Sequence, residues 1–191
     1  MKLSGSFVTV LALTLTAYAV PVDTSPEQCE AYEARKSSYM GTFSEACNVL
    51  ADACLDRVNN AGVTDLWNDR ACLAAATCQG TETTVGLAGC ANRSIADLGH
   101  EGLPSVSPNN WVQWLATTCS TAPPRCEFDQ QQFVDFFYGT LSEVGSTTWP
   151  GDANEVVERY FNPIVATAPF PDSGRVPSST FSSWLRNSHS Q

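Results

Sequence analysis

The chain has 191 residues, with 20 acidic and 10 basic side chains, and its formal charge at neutral pH is −10. This charge disfavours binding to nucleic acids and to anionic membrane surfaces, because both would repel the protein. Apolar residues make up 43% of the sequence, which excludes a disordered tail and is enough for the core of one domain.

The first 19 residues have the pattern of a secretory signal peptide. Lys2 supplies a positive charge, an apolar run covers residues 7–17, and Ala17-Tyr18-Ala19 forms an A-x-A cleavage site. The apolar run is too short to span a bilayer of about 30 Å, so we expect no membrane insertion. The predicted organisation is a signal peptide at 1–19 and a single helical disulfide-rich domain at 20–191.

Helix-capping patterns recur in the first half of the predicted domain. Ser-Pro-Glu-Gln at 25–28 begins a helix, and a capping box at 42–45 begins a second one that Gly62 ends. Thr64 is expected to begin a third helix, which Gly80 closes. Together these signals predict a series of short helices separated by glycine turns.

The same signals continue through the second half. A weaker helix is predicted at 83–93, another begins at Ser107-Pro108, and a third covers 129–144. A further capping box at Asp152 begins another helix, and the last short helix covers 179–187. No segment alternates strictly between apolar and polar residues, and no Asn-Gly or Asp-Gly turn occurs. The predicted fold class is therefore all-α, a single disulfide-stapled bundle of about seven or eight short helices.

An even number of cysteines in a chain predicted to be secreted indicates disulfide bonds. The eight residues are Cys29, Cys47, Cys54, Cys72, Cys78, Cys90, Cys119 and Cys126. Cys47 and Cys54 lie about 10 Å apart along one predicted helix, which is too far for a bridge. If the second and third helices pair antiparallel about Gly62, a single register places Cys54 opposite Cys72 and Cys47 opposite Cys78.

The other two bridges are assigned from the positions that remain. Cys119 and Cys126 flank Pro123-Pro124 and could close a small loop, which leaves Cys29 with Cys90. No C-x-x-C pair occurs and histidine is scarce, so we expect no metal site and no cofactor.

Catalytic motifs are few. The only histidines are His100 and His189, and neither a G-x-S-x-G nor an H-E-x-x-H motif is present. His100 lies in a segment flanked by glycine and proline, 98–104, that we predict to be a polar loop. A hydrolase using two carboxylates about 5–10 Å apart across a cleft stays open as an alternative. The candidate carboxylates are Asp129, Asp135, Glu143, Asp152, Glu155 and Glu158.

Aromatic residues indicate a binding function instead. Trp111 and Trp114 are three residues apart and share one face of a predicted helix. An exposed tryptophan can stack on the apolar face of a sugar ring, although residues at helical spacing more often belong to the core. Asn92, in the sequon Asn92-Arg93-Ser94, is a candidate glycosylation site.

The C-terminal stretch carries short apolar and turn positions. They are Trp149-Pro150, Tyr160-Phe161, Gly174, Val176-Pro177, Phe181 and Trp184-Leu185. With the secretion signal and the cysteine-containing helices, this stretch resembles small secreted proteins of basidiomycete fungi. That family carries no assigned activity, so the resemblance transfers no catalytic or binding residue.

The predicted function is that of a secreted, non-catalytic binding or effector-like protein whose extracellular partner is a carbohydrate. A small secreted hydrolase using paired carboxylates is the first alternative. An extracellular lipid or sterol carrier is the second, because helical disulfide-rich scaffolds can leave an apolar cavity between helices.

Overall fold

The computed structural model describes residues 20–38, 45–115, 126–169 and 171–187. The described part is all-α, as predicted, and one small sheet accompanies the helices. The helices are α1 (Pro26–Ser38), α2 (Glu45–Ala61), α3 (Arg70–Gln79), α4 (Thr81–Ala91), α5 (Arg93–Gly102), α6 (Pro108–Leu115), α7 (Gln130–Glu143), α8 (Ala153–Val156), α9 (Asn162–Val165) and α10 (Ser178–Asn187). A π-helical segment, Val157–Phe161, joins α8 to α9, and 3₁₀ turns occur at Leu66–Asn68 and Pro171–Ser173.

The helices α2 and α3 form the antiparallel pair predicted from the cysteine positions. The chain turns after α2 at Gly62, whose φ of +67° is a left-handed conformation that glycine adopts without strain. Cys47 is bonded to Cys78 and Cys54 to Cys72, with Cα–Cα distances of 6.0 and 4.5 Å. These are the two pairs expected from an antiparallel register.

A third bridge joins the first helix to the fourth. Cys29 of α1 is bonded to Cys90 of α4, with the two Cα atoms 5.9 Å apart, as the sequence predicted. Cys126 is also disulfide-bonded. The predicted Cys119–Cys126 pair includes Cys119, which lies outside the described residues, as does the predicted signal peptide.

Two local predictions in this half were wrong. Thr64 does not begin α3: the chain first makes a 3₁₀ turn that buries Trp67, and the carboxylate of Asp69 then caps the helix by accepting hydrogen bonds from its first turn. Residues 98–104 are not simply a loop, because α5 continues to Gly102. Gly99 interrupts it with a φ of +59° at a close approach of the Val20 carbonyl.

Two short strands pair in the second half, and the sequence analysis did not identify them. Strands β1 (Glu127–Asp129) and β2 (Arg175–Pro177) are antiparallel, with Phe128 opposite Val176. Each has only three residues, too few for an alternating pattern to be visible in the sequence. The sheet places Phe128 at the centre of an aromatic cluster. Its ring lies near aromatic rings of α6, α7 and α10.

One hydrophobic core includes buried residues of both halves of the chain. Leu50 of α2, Leu73 of α3, Phe136 of α7 and Phe181 of α10 all belong to it and are fully buried. Among the described residues, none of the helices is both long and apolar enough to cross a membrane.

Candidate functional site

The carboxylates proposed for hydrolysis have structural partners. Asp129 caps α7 through a reciprocal capping box. Glu143 accepts hydrogen bonds from Arg57 at 3.0 Å and Arg70 at 3.2 Å, and Asp135 is exposed on α7. None of the three lines either of the two pockets described below. The structure therefore brings no pair of them together across those pockets.

The two tryptophans proposed to bind sugar occupy different environments. Trp111 is only 2% exposed and packs against Phe128 and Phe181, with ring centroids 5.7 and 5.6 Å away. It thus occupies a core position, which was the other interpretation of its helical spacing. Trp114 is half-buried against the core. The exposed tryptophan is Trp149, at 44%.

Trp149 and Tyr138 form a stacked pair, which we call the aromatic platform. Their ring centroids are 6.0 Å apart and their planes differ by 11°. Tyr138 is half-buried against the core on α7, whereas Trp149 extends from the loop between α7 and α8. One aromatic ring is therefore held in place by the other and still presents surface to solvent.

The loop that carries Trp149 is fixed by backbone and side-chain hydrogen bonds. The chain leaves α7 through a Schellman turn, in which Gly145 has a φ of +69° and Ser146 N donates to Leu141 O at 2.9 Å. The Ser146 hydroxyl then donates to the Thr148 carbonyl at 2.6 Å and accepts from the Thr148 amide at 3.1 Å. Such a loop loses little conformational freedom when a ligand binds.

Two carboxylates lie beside the platform. Burial raises the pKa of Tyr138 above its ordinary value, and the negative charges of Asp152 and Glu155 raise it further. Asp152 caps α8 by accepting from Glu155 N at 2.9 Å, and Glu155 accepts from Gly151 N at 2.8 Å. A carboxylate has about four lone-pair sites, so each can accept hydrogen bonds beyond these. The platform thus combines an apolar ring surface with fixed acceptors.

A groove of about 540 Å³ lies between the start of α6 and one face of α10. We call it the serine groove; its lining residues are Ser105, Val106, Ser107, Pro108, Trp111, Ser178, Ser179, Ser182, Ser183 and Arg186. Six of the ten are serines, whose hydroxyls can both donate and accept hydrogen bonds. Trp111 contributes its small accessible surface to this groove, so this predicted ligand residue does line a pocket.

A second pocket, of about 360 Å³, contains one of the two histidines. We call it the histidine cleft; its lining residues are Val20, Pro21, Val22, Tyr32, Glu82, His100, Glu101, Arg186 and Asn187. No serine, threonine or cysteine is among these described residues, so they supply no nucleophile for a Ser-His or Cys-His mechanism. Among the described residues, no group of three or more His, Cys, Asp and Glu side chains is placed to hold a metal ion.

The predicted glycosylation residue is a helix cap. The Asn92 side-chain oxygen accepts a hydrogen bond from Ser94 N at 3.0 Å at the start of α5, between α4 and α5. The modification itself stays a prediction.

From the aromatic residues of the sequence, Trp111 and Trp114 were chosen as ligand residues rather than Trp149, and Arg186 was not considered. Trp149 lies in the segment GSTTWPGD, residues 145–152, where glycine, proline and hydroxyl residues predict a loop. A large aromatic residue in such a loop has no helical face to bury it, and that signal could have identified it. Nothing in the sequence indicates that Arg186 contacts Ser105, which lies in the segment before α6.

Comparisons with protein-family models, with curated proteins and with solved structures found no match to this chain. The assignment of function therefore depends on the geometry of its own residues.

Proposed function

We propose that this protein is an extracellular, non-catalytic glycan-binding protein that holds a sugar ring on the aromatic platform of Tyr138 and Trp149. The observation that carries the proposal is the exposed indole of Trp149, stacked on Tyr138 and carried by a hydrogen-bonded loop. Export is supported by the three disulfides and by the predicted signal peptide, since disulfides persist in oxidising compartments.

The chemistry of the platform matches that of a sugar. A pyranose presents C–H groups on one face, which pack against an aromatic ring, and hydroxyls around its edge. Asp152 and Glu155 supply negatively charged acceptors for such hydroxyls, and hydrogen bonds to charged groups are the stronger kind. Because Tyr138 already orders Trp149, binding does not have to immobilise a free side chain.

The platform is tested by removing the ring. Purified protein is screened on a glycan array, and the best ligand is then titrated by calorimetry against Trp149→Ala and Trp149→Phe. We expect Trp149→Ala to weaken binding at least tenfold, about 1.4 kcal/mol, and Trp149→Phe to retain most of the affinity. Val112→Ala is the matched control, since Val112 is an apolar residue that is 50% exposed on α6.

Two results would contradict the proposal. One is the absence of any glycan that binds the unaltered protein, and the other is equal affinity for the unaltered protein and Trp149→Ala. The same preparation separates the alternatives. A hydrolase would release reducing ends and lose rate in Asp129→Asn, Asp135→Asn or Glu143→Gln, and a carrier would copurify with a lipid detectable by mass spectrometry.

A further inference from the structure

Arg186 differs from the other basic residues of the described chain. The other seven arginine and lysine side chains in the described ranges each lie within 4.0 Å of a carboxylate oxygen. Arg186 forms no such pair there; its guanidinium donates to the Ser105 hydroxyl at 2.7 Å. In a protein of net charge −10, a cation without a carboxylate partner is the exception.

The amphipathic pattern of α10 explains how Arg186 reaches the serine groove. Phe181 and Leu185 are buried in the core. Ser179, Ser182 and Arg186 follow at positions i, i+3 and i+7, so they share another face of the helix, and all three line the groove. The cation therefore lies at one end of a row of hydroxyls.

The walls of the groove favour an anionic ligand. No acidic side chain is among the lining residues that the structure describes. Ser178 is only 5% exposed, and it lines the groove at the start of α10. The serine hydroxyls of the groove can donate hydrogen bonds to the oxygens of an anionic ligand.

The nearest competing negative charges lie in the histidine cleft, which shares Arg186 with the groove. Glu82 and Glu101 line that cleft, but neither is within 4.0 Å of the Arg186 guanidinium, and Glu82 is paired with Arg35 at 2.8 Å. Arg186 is therefore accessible to a ligand anion from the groove.

We infer that the serine groove is a second binding site, which takes an acidic saccharide by pairing the ligand's oxyanion with Arg186 and its hydroxyls with the serines. Arginine presents a planar fork that matches the two oxygens of a carboxylate or sulfate group. The volume of about 540 Å³ is in the range of small-molecule sites. This inference does not depend on the aromatic platform.

The inference is tested with three oligosaccharides of equal length: one of uronic acids, one sulfated and one neutral. Their affinities are measured by calorimetry for the unaltered protein, Arg186→Gln and Arg186→Lys. We expect at least one acidic oligosaccharide to bind, the neutral one to bind at least tenfold more weakly, and Arg186→Gln to lose at least tenfold. Arg186→Lys should lie between, because lysine keeps the charge without the fork.

The controls separate charge at this site from charge in general. Arg93→Gln removes an arginine that is 79% exposed and paired with Asp97, so it should bind as the unaltered protein does. Trp149→Ala should also leave the acidic ligand bound, which separates this site from the platform. Tighter binding of the uronate or of the sulfated oligosaccharide shows whether the groove prefers a carboxylate or a sulfate group. The comparison is repeated in Trp149→Ala, which lacks the platform. Equal binding of acidic and neutral ligands in that variant, no binding of either acidic ligand, or unchanged affinity in Arg186→Gln would overturn the inference.

Discussion

At the residue scale, Asp69 links two helices through one carboxylate. One oxygen accepts from Ala71 N at 3.0 Å and Cys72 N at 3.1 Å, which caps α3. The other accepts from Arg57 of α2 at 3.1 Å. Asp69 is 8% exposed, so the loss of these contacts would not be replaced fully by water.

Two substitutions at Asp69 distinguish the contribution of the α3 cap from that of the Arg57 ion pair. Asp69→Ala removes both the cap and the Arg57 pair, and we expect it to destabilise the protein by about 2–3 kcal/mol. Asp69→Asn retains an oxygen that can cap α3 but replaces the oxygen that accepts from Arg57 with an amide NH2 group, so it should cost about half as much. Urea unfolding followed by circular dichroism measures both. Equal losses for the two variants would show that the cap contributes little.

Single residues also show what the sequence could predict. The cap at Asp152 was identified because a cap depends on residues within one turn, and the start of α7 was placed at Asp129, which caps it. Thr64 was chosen wrongly, since burial of Trp67 in a 3₁₀ turn delays α3, and such burial depends on distant helices. For the same reason the spacing of Trp111 could not distinguish a core position from an exposed one.

At the element scale, α1 packs on α4 in the same antiparallel manner as α2 on α3. Cys29 is bonded to Cys90, and Tyr32, one turn later, lies against Gly86, one turn earlier. A Cβ atom at Gly86 would come within 2.5 Å of the Tyr32 ring. The buried ring therefore requires glycine inside a helix, where glycine is otherwise unfavourable.

This contact reverses the usual effect of alanine in a helix. Gly86→Ala should gain about 1 kcal/mol of helix propensity. The clash with Tyr32 should outweigh it, because the Cys29–Cys90 bridge limits the retreat of α1, and we expect a net loss of about 1–3 kcal/mol. In a Tyr32→Ala background the same substitution should be neutral or stabilising. Thermal unfolding of the four proteins gives the coupling, and its absence would contradict the packing argument.

Secondary-structure elements were predictable where a sequence pattern extended without interruption over several turns. The α2–α3 register was predictable because two cysteines on each helix and one glycine turn define it. The extent of α5 was not, since Gly99 and Gly102 interrupt its apolar spacing. The platform joins an α7 side chain to a loop side chain, and such a contact leaves no periodic signal in either segment.

At the scale of the whole molecule, one aromatic residue connects most of the second-half elements to the core. Phe128 is fully buried and lies 5.3–6.2 Å, between ring centroids, from four aromatic rings. These rings belong to Trp111, Phe133, Phe161 and Phe181, which come from three helices and the π-helical segment. Three described disulfides lie before residue 91, and Cys126 at the start of the second described half is also bonded. No cysteine follows it in the sequence, so the elements from β1 onward depend on packing.

Shared packing predicts that both halves unfold together. Phe128→Ala should create a cavity and cost about 3–5 kcal/mol, and Phe128→Leu should cost less because it retains more of the buried volume. If the halves form one domain, near-ultraviolet circular dichroism and far-ultraviolet circular dichroism should report one coincident transition in the unaltered protein and in Phe128→Leu. A disulfide-linked half that stays folded after the aromatic signal is lost would instead divide the chain into two units. If Phe128→Ala does not fold, Phe128→Leu still tests the prediction. Its near-ultraviolet and far-ultraviolet transitions either coincide, as expected for one domain, or separate.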